Sequence, residues 1–227
     1  MARYLIIGAS SGIGLSLAEL LSETHEVINI SRTESSFSHP NFSQFALDVQ
    51  DENAEFPALE GIDGLVFCPG SINLKPFHRL SMDDFTRDWN LNFLAAANVL
   101  QYYYPSMKKL GKASVVLFST VAVQRGMPFH TSIAGAKGAI EGLTRSLAAE
   151  WAPVIRVNAI APSLSDTPMA QVLLNTEAKK QSAIDRHPLK RIGSPKDGAE
   201  AAAWLLSDAS SWVTGQVLHV DGGLSVI

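Results

Sequence analysis

Gly8-Ala9-Ser10-Ser11-Gly12-Ile13-Gly14, set between the apolar run Tyr4–Ile7 and a stretch with Leu15, Leu17, Ala18, Leu20 and Leu21 at helical spacing, constrains this chain more than any other feature. Glycine reaches backbone conformations closed to other residues and lets a ligand approach the main chain, while unpaired amides at a helix N-terminus attract anions. A strand, a glycine turn and a helix in that order therefore predict a phosphate cradle, and a nucleotide cofactor as its occupant. Gly8, Ser10, Ser11, Gly12, Ile13 and Gly14 are the expected contacts. The spacing of these glycines differs from the commoner G-x-G-x-x-G fingerprint, so the flanking elements carry the reading.

Further apolar or β-branched runs stand at Val27–Ile30, Phe42–Ala46, Leu65–Cys68, Ser114–Phe118, Arg156–Ile160 and Val217–Val220, most of them separated by helical patterns. Such alternation predicts parallel strands joined by crossover helices, and unbroken runs such as Val115-Val116-Leu117-Phe118 suit a sheet covered on both faces. The expected fold is an α/β, doubly wound Rossmann-type parallel sheet with helices on both faces, formed by residues 1–227 as a single domain. Helices are predicted from Met82 to about Lys108, Ser132 to about Trp151, and Pro195 to about Ser207, the last capped by Ser194. Residues 31–43 read as a loop.

A net charge of -4 gives none of the basic excess that nucleic-acid binding needs. Cys68 stands alone, so no internal disulfide forms and a reducing, cytoplasmic setting is expected. Met1-Ala2-Arg3 runs straight into the first strand, and no apolar run suffices to span a bilayer, so neither a signal peptide nor a membrane is expected.

In a dinucleotide site, an acidic residue after the second strand holds the adenosine ribose, whereas an arginine there accommodates a 2′-phosphate. Here that strand ends Ile30-Ser31-Arg32-Thr33. The fixed charge and planar fork of Arg32, with hydroxyls at Ser31 and Thr33, predict NADP(H) over NAD(H); the plainer alternative is a solvated surface charge. Asp48, followed by Val49, is expected at the adenine, or else forms a turn.

With the glycine motif, Asp48, Asn92, Lys137, Asn158-Ala159-Ile160-Ala161-Pro162, Thr167, Arg191-Ile192-Gly193-Ser194-Pro195 and Asp221-Gly222-Gly223 in order, the chain resembles the short-chain dehydrogenase/reductase family from end to end. The resemblance implies hydride transfer between a nicotinamide and a carbonyl or alcohol, with Pro69, Gly70, Pro162, Ser163, Leu164 and Thr167 beside the cofactor, and a homo-oligomer, dimer or tetramer, formed through the helices after Met82 and Ser132. It implies no metal. Lys137 takes the family's lysine position and is expected on the nicotinamide ribose; Asn92 and Thr120, the latter in the family's serine position, are expected to orient the acceptor oxygen.

Four residues before Lys137, where the family has its tyrosine, stands Ile133. An isoleucine donates no proton. His130 lies seven residues before Lys137, a spacing similar to that of the tyrosine and lysine in bacterial enoyl-acyl-carrier-protein reductases, and seven residues bring two side chains within about 20° on one helical face. His130 is therefore a candidate acid for a carbonyl or enoyl reduction, or alternatively a polar loop residue. Tyr102, Tyr103 and Tyr104 read as packing or interface residues. Residues 163–190 are the expected substrate lid, where Met169, Val172, Leu173 and Leu174 either give an apolar pocket for a small molecule or form an ordinary amphipathic helix. Lys179 and Lys180 fit either an acyl-carrier phosphate or solvent. The alternative to an enzyme is a catalytically silent NADP(H)-binding sensor or partner subunit.

Overall fold

The computed structural model describes residues 1–51 and 53–227. Seven parallel strands stand in the order β3-β2-β1-β4-β5-β6-β7: β1 (Arg3–Ile7), β2 (Glu26–Ser31), β3 (Phe42–Ala46), β4 (Gly64–Phe67), β5 (Ala113–Phe118), β6 (Ile155–Pro162) and β7 (Val217–Val220). Between them run α1 (Gly12–Ser22), α2 (Met82–Trp89), α3 (Ala95–Leu110), the short α4 (Ala122–Arg125), α5 (Thr131–Trp151), α6 (Glu177–Arg186) and α7 (Pro195–Leu206). This is the doubly wound Rossmann-type sheet that the alternation of runs predicts.

Successive side chains of a strand point to opposite faces, and in a sheet covered on both sides each face needs its own core. Leu5 and Ile7 of β1, Leu65 and Phe67 of β4, and Val115 and Leu117 of β5 pack with Val99, Tyr103 and Ile140 on one face. Their neighbours Tyr4, Ile6, Val66, Val116 and Phe118 pack on the other with Leu17, Leu21, Ala202 and Leu205. Each aliphatic side chain so buried contributes about 1.5–3 kcal/mol, which fixes strand register because a one-residue slip exchanges the two faces.

Ser194 caps α7 in a reciprocal box with Asp197, as its sequence predicts. One helix differs from expectation. The segment from Met82 is interrupted by a π-helical turn over Asn90–Leu94 between α2 and α3. Its apolar spacing still looks helical, so the extra residue per turn leaves no mark in the sequence.

Strand order reverses between β1 and β4, and in such sheets ligands enter beyond the carboxyl ends of the strands at this point. Gly8 follows β1 there, and Cys68-Pro69-Gly70 follows β4.

Candidate active site

A cavity of about 920 Å³ opens at this switch point. Gly8, with φ +87°, turns the chain out of β1, and a β-carbon on it would come within 3.2 Å of the Pro69 ring. Gly14 sits so tightly that its β-carbon would lie 2.3 Å from the Gly8 carbonyl oxygen, closer than any side chain tolerates. These glycines let α1 start immediately behind the loop. Ser11, the residue before α1, makes no side-chain cap, so the first-turn amides are open to an anion in the cavity. Thr167 closes the far side, its methyl 3.5 Å from a β-carbon position on Gly12.

The loop is fastened from beneath by a residue that the sequence reading passed over. Asn29, buried in the middle of β2, accepts from the Ala9 amide at 2.9 Å and donates to Ser31 Oγ at 2.9 Å, and Ser31 Oγ donates onward to the Thr33 carbonyl at 2.7 Å. Ser31 lines the cavity, with its hydroxyl hydrogen engaged in this chain of bonds. Arg32, exposed on the next position, lines the cavity without an ion pair or hydrogen bond to any described residue. Asp48 forms the turn that was its alternative reading, accepting from the Gln50 amide at 3.0 Å, and with Val49 also lines the cavity.

Of the residues singled out from sequence as site candidates, all but Asn92 line this one cavity: Gly8, Ser10, Ser11, Gly12, Ile13 and Gly14; Ser31, Arg32 and Thr33; Asp48, Val49, Pro69 and Gly70; Thr120, His130 and Lys137; Pro162, Ser163, Leu164 and Thr167. Asn92 is the exception. The π-helical turn buries it completely, and its amide donates to the Asp88 carbonyl at 2.8 Å and Ser71 Oγ at 2.9 Å, so both of its hydrogens are committed within the protein. Its Oδ1 has no partner and lies 3.3 Å from a β-carbon position on Gly70, where Lys137 Nζ lies at 3.5 Å, so the two groups crowd one side of that glycine.

Lys137 is buried on α5 and makes no hydrogen bond or ion pair with a described residue. Desolvation lowers its pKa to about 8, against the opposing pull of Cys68, whose own thiol burial pushes up to about 12. An ammonium held unpaired at a cavity wall is suited to ligand hydroxyls or a developing negative charge. Ile133, also buried, lines the cavity where the resemblance places a tyrosine, and no tyrosine is among the described lining residues.

His130 does not extend α5: its φ and ψ of -97° and 10° leave the helix, and it occupies the N-cap position. The shared helical face expected of it with Lys137 is thus absent, although both line the cavity. Its Nδ1 donates to the Pro128 carbonyl at 2.7 Å. Thr120 Oγ1 accepts from the Ala122 amide at 3.3 Å, leaving its hydrogen for a ligand. Tyr102 and Tyr103 donate to the carbonyls of Phe56 and Pro57, and Tyr104 stacks on Trp151, so all three are packing residues.

The segment after β6 divides by residue. Met169 and Leu173 line the cavity, Leu174 packs with Ala170 and Ala183 in a small cluster, and Val172 is exposed. A 3₁₀ turn over Pro168–Leu173 replaces the amphipathic helix of the alternative reading. Lys179 reaches the cavity edge and Lys180 pairs outside with Glu177. Ser163 meets His187, a lining residue that no motif in the sequence marks. No helix among the described residues is long and apolar enough to cross a membrane.

The family model described as enoyl-(acyl carrier protein) reductase matches residues 8–225. L-xylulose reductase of Bos taurus is 32% identical over 97% of this chain and 95% of its own length. Among solved structures, the ligand-free aldohexose dehydrogenase of Thermoplasma acidophilum superposes with a TM-score of 0.90 at 27% identity, covering 100% of this chain and 94% of that one. ElxO with NADP bound superposes at 0.87 with 26% identity, covering 98% of both chains.

Proposed function

The chain belongs to the short-chain dehydrogenase/reductase family of oxidoreductases, and from that premise we propose that it transfers hydride between NADP(H) and a small, largely apolar carbonyl, alcohol or enoyl compound. The observation that carries this reading is the placement of two cations unpaired with any described residue, Arg32 and Lys137, on the wall of one cavity whose glycine loop leaves room for a pyrophosphate. The residues fit the cofactor: Arg32 would hold the 2′-phosphate, the amides of α1 the pyrophosphate, and Lys137 the nicotinamide ribose.

When bound, the nicotinamide supplies or accepts the hydride. Thr120 offers a hydroxyl to the acceptor oxygen, and the Lys137 ammonium stabilises negative charge that develops nearby. Ile133 contributes an apolar wall, so the proton comes from another group. Residues 163–190 act as the substrate lid. Exposed Met82, Trp89 and Leu94 near α2 and α3 support a homo-oligomer through those helices, and the lone Cys68 suits a cytoplasmic setting. Because the relatives are named as reductases and dehydrogenases, the silent-sensor alternative is not carried further.

The test is NADPH oxidation across ketones, enones, enoyl thioesters and quinones, with NADP+ reduction by the corresponding alcohols. Turnover of at least one class, with NADPH preferred to NADH, is expected; binding of neither nucleotide overturns the reading.

A further inference from the structure

Ser163 and His187 meet in the wall of the cavity with Ser163 Oγ and His187 Nε2 2.9 Å apart. His187 is 2% exposed, and its Nδ1 lies 2.6 Å from the Ala183 carbonyl oxygen. A carbonyl only accepts, so Nδ1 carries the hydrogen, and in the neutral ring Nε2 is then an acceptor. Ser163 must donate to it. The serine oxygen keeps its lone pairs for whatever occupies the cavity, an arrangement in which a hydroxyl is made a better proton acceptor by the base behind it.

The backbone sets this pair next to the loop that carries Thr120. Val121 N donates to the Pro162 carbonyl at 3.2 Å, so the loop after β5 that carries Thr120 lies against the end of β6 that carries Ser163. The Ser163 amide is itself held by the Val220 carbonyl at 3.3 Å. His130 lacks such support: its ring is tied only to a carbonyl two residues away in the same loop.

We infer that Ser163 and His187 form the proton relay of this active site, in the place that Ile133 leaves without a proton donor; the inference rests on the nicotinamide-dependent reading above. In alcohol oxidation the substrate O–H proton moves to Ser163 Oγ as the serine proton moves to His187 Nε2, and the carbinol C–H leaves as hydride to the oxidised nicotinamide. The alcohol becomes a carbonyl, the nicotinamide is reduced, and the proton rests on the imidazole. Carbonyl reduction follows the same path backwards from the protonated ring.

The test compares the unmutated protein with Ser163→Ala, Ser163→Thr and His187→Gln, reading NADPH affinity by fluorescence, kcat and KM on the best compound of the panel, and the histidine side-chain nitrogens by ¹⁵N NMR. Ser163→Ala and His187→Gln should lower kcat by about 100-fold or more, with KM and NADPH affinity changed less than about threefold, and Ser163→Thr should recover much of the loss. The His187 ring should be protonated at Nδ1, with its Nε2 resonance displaced in Ser163→Ala. Should His187→Gln fail to fold, Ser163→Ala and the ring tautomer decide. A neutral ring protonated at Nε2, a Ser163→Ala protein with kcat within about threefold of the unmutated one, or a protein that binds NADPH yet turns over nothing on the panel overturns the relay. Failure to bind NADPH instead overturns the proposed function from which it starts.

Discussion

Asn29 Oδ1 accepts the Ala9 amide at 2.9 Å, so the glycine loop hangs from the strand beside it through one buried side chain. The same amide group holds Ser31, and through it Thr33, which joins the glycine loop to the loop that carries Arg32. Asn29→Ala leaves a buried N–H without a partner, at a cost of about 2 kcal/mol. The melting temperature should fall by about 4–8 °C, with weaker NADPH binding. An unchanged melting curve would contradict this role.

Arg32→Glu exchanges a free cation for an anion at the proposed 2′-phosphate site. A charge-assisted hydrogen bond is worth about 1.5–3 kcal/mol, so NADPH affinity should drop by about 10- to 100-fold while NADH affinity changes little. Equal losses for the two nucleotides, measured by fluorescence titration, would mean that Arg32 does not read the phosphate.

Lys137 should make stability depend on pH. Its pKa is about 8 folded against 10.5 for the free side chain, so below pH 8 the ammonium is charged in both states and the native fold bears the full desolvation cost. Between those values the native state sheds its proton first and stability rises with pH. Lys137→Met removes the cost. In cofactor-free protein the variant should be more stable by about 3 kcal/mol at pH 7, with the gap closing as pH approaches 10.5, while turnover is lost. Urea denaturation at several pH values measures the gap, and a pH-independent gap would show that Lys137 is not the titrating group.

Ile133→Tyr places a phenol beside the lysine. Its hydroxyl, on a buried position that already faces the cavity, should raise carbonyl reduction by about tenfold or more and restore turnover to Ser163→Ala. A variant that folds and binds NADPH but gains nothing would show that the phenol cannot reach the acceptor oxygen.

What the sequence made legible follows the range of the forces involved. Strands Phe42–Ala46 and Val217–Val220 have the bounds their runs predict, and the run Ser114–Phe118 falls within β5, which is buried throughout, because burial on two faces leaves a local signature. The glycine loop was legible for a related reason: its glycines answer clashes only a few residues apart, such as Gly14 against Gly8. His187 escaped because its partner lies 24 residues earlier and only the packing of α6 brings them together. Asn92 was misplaced because the π-helical turn that draws it inward does not disturb the apolar period. Asn29, a lone amide inside Val27-Ile28-Asn29-Ile30, was readable as a polar interruption of a buried strand.

Calorimetric titration of NADPH and NADH into the pure, folded, cofactor-free protein decides whether the cavity holds a dinucleotide. Saturable binding is expected, with NADPH at least about tenfold tighter than NADH. The absence of heat from either nucleotide, corroborated by an unchanged melting temperature, would contradict it.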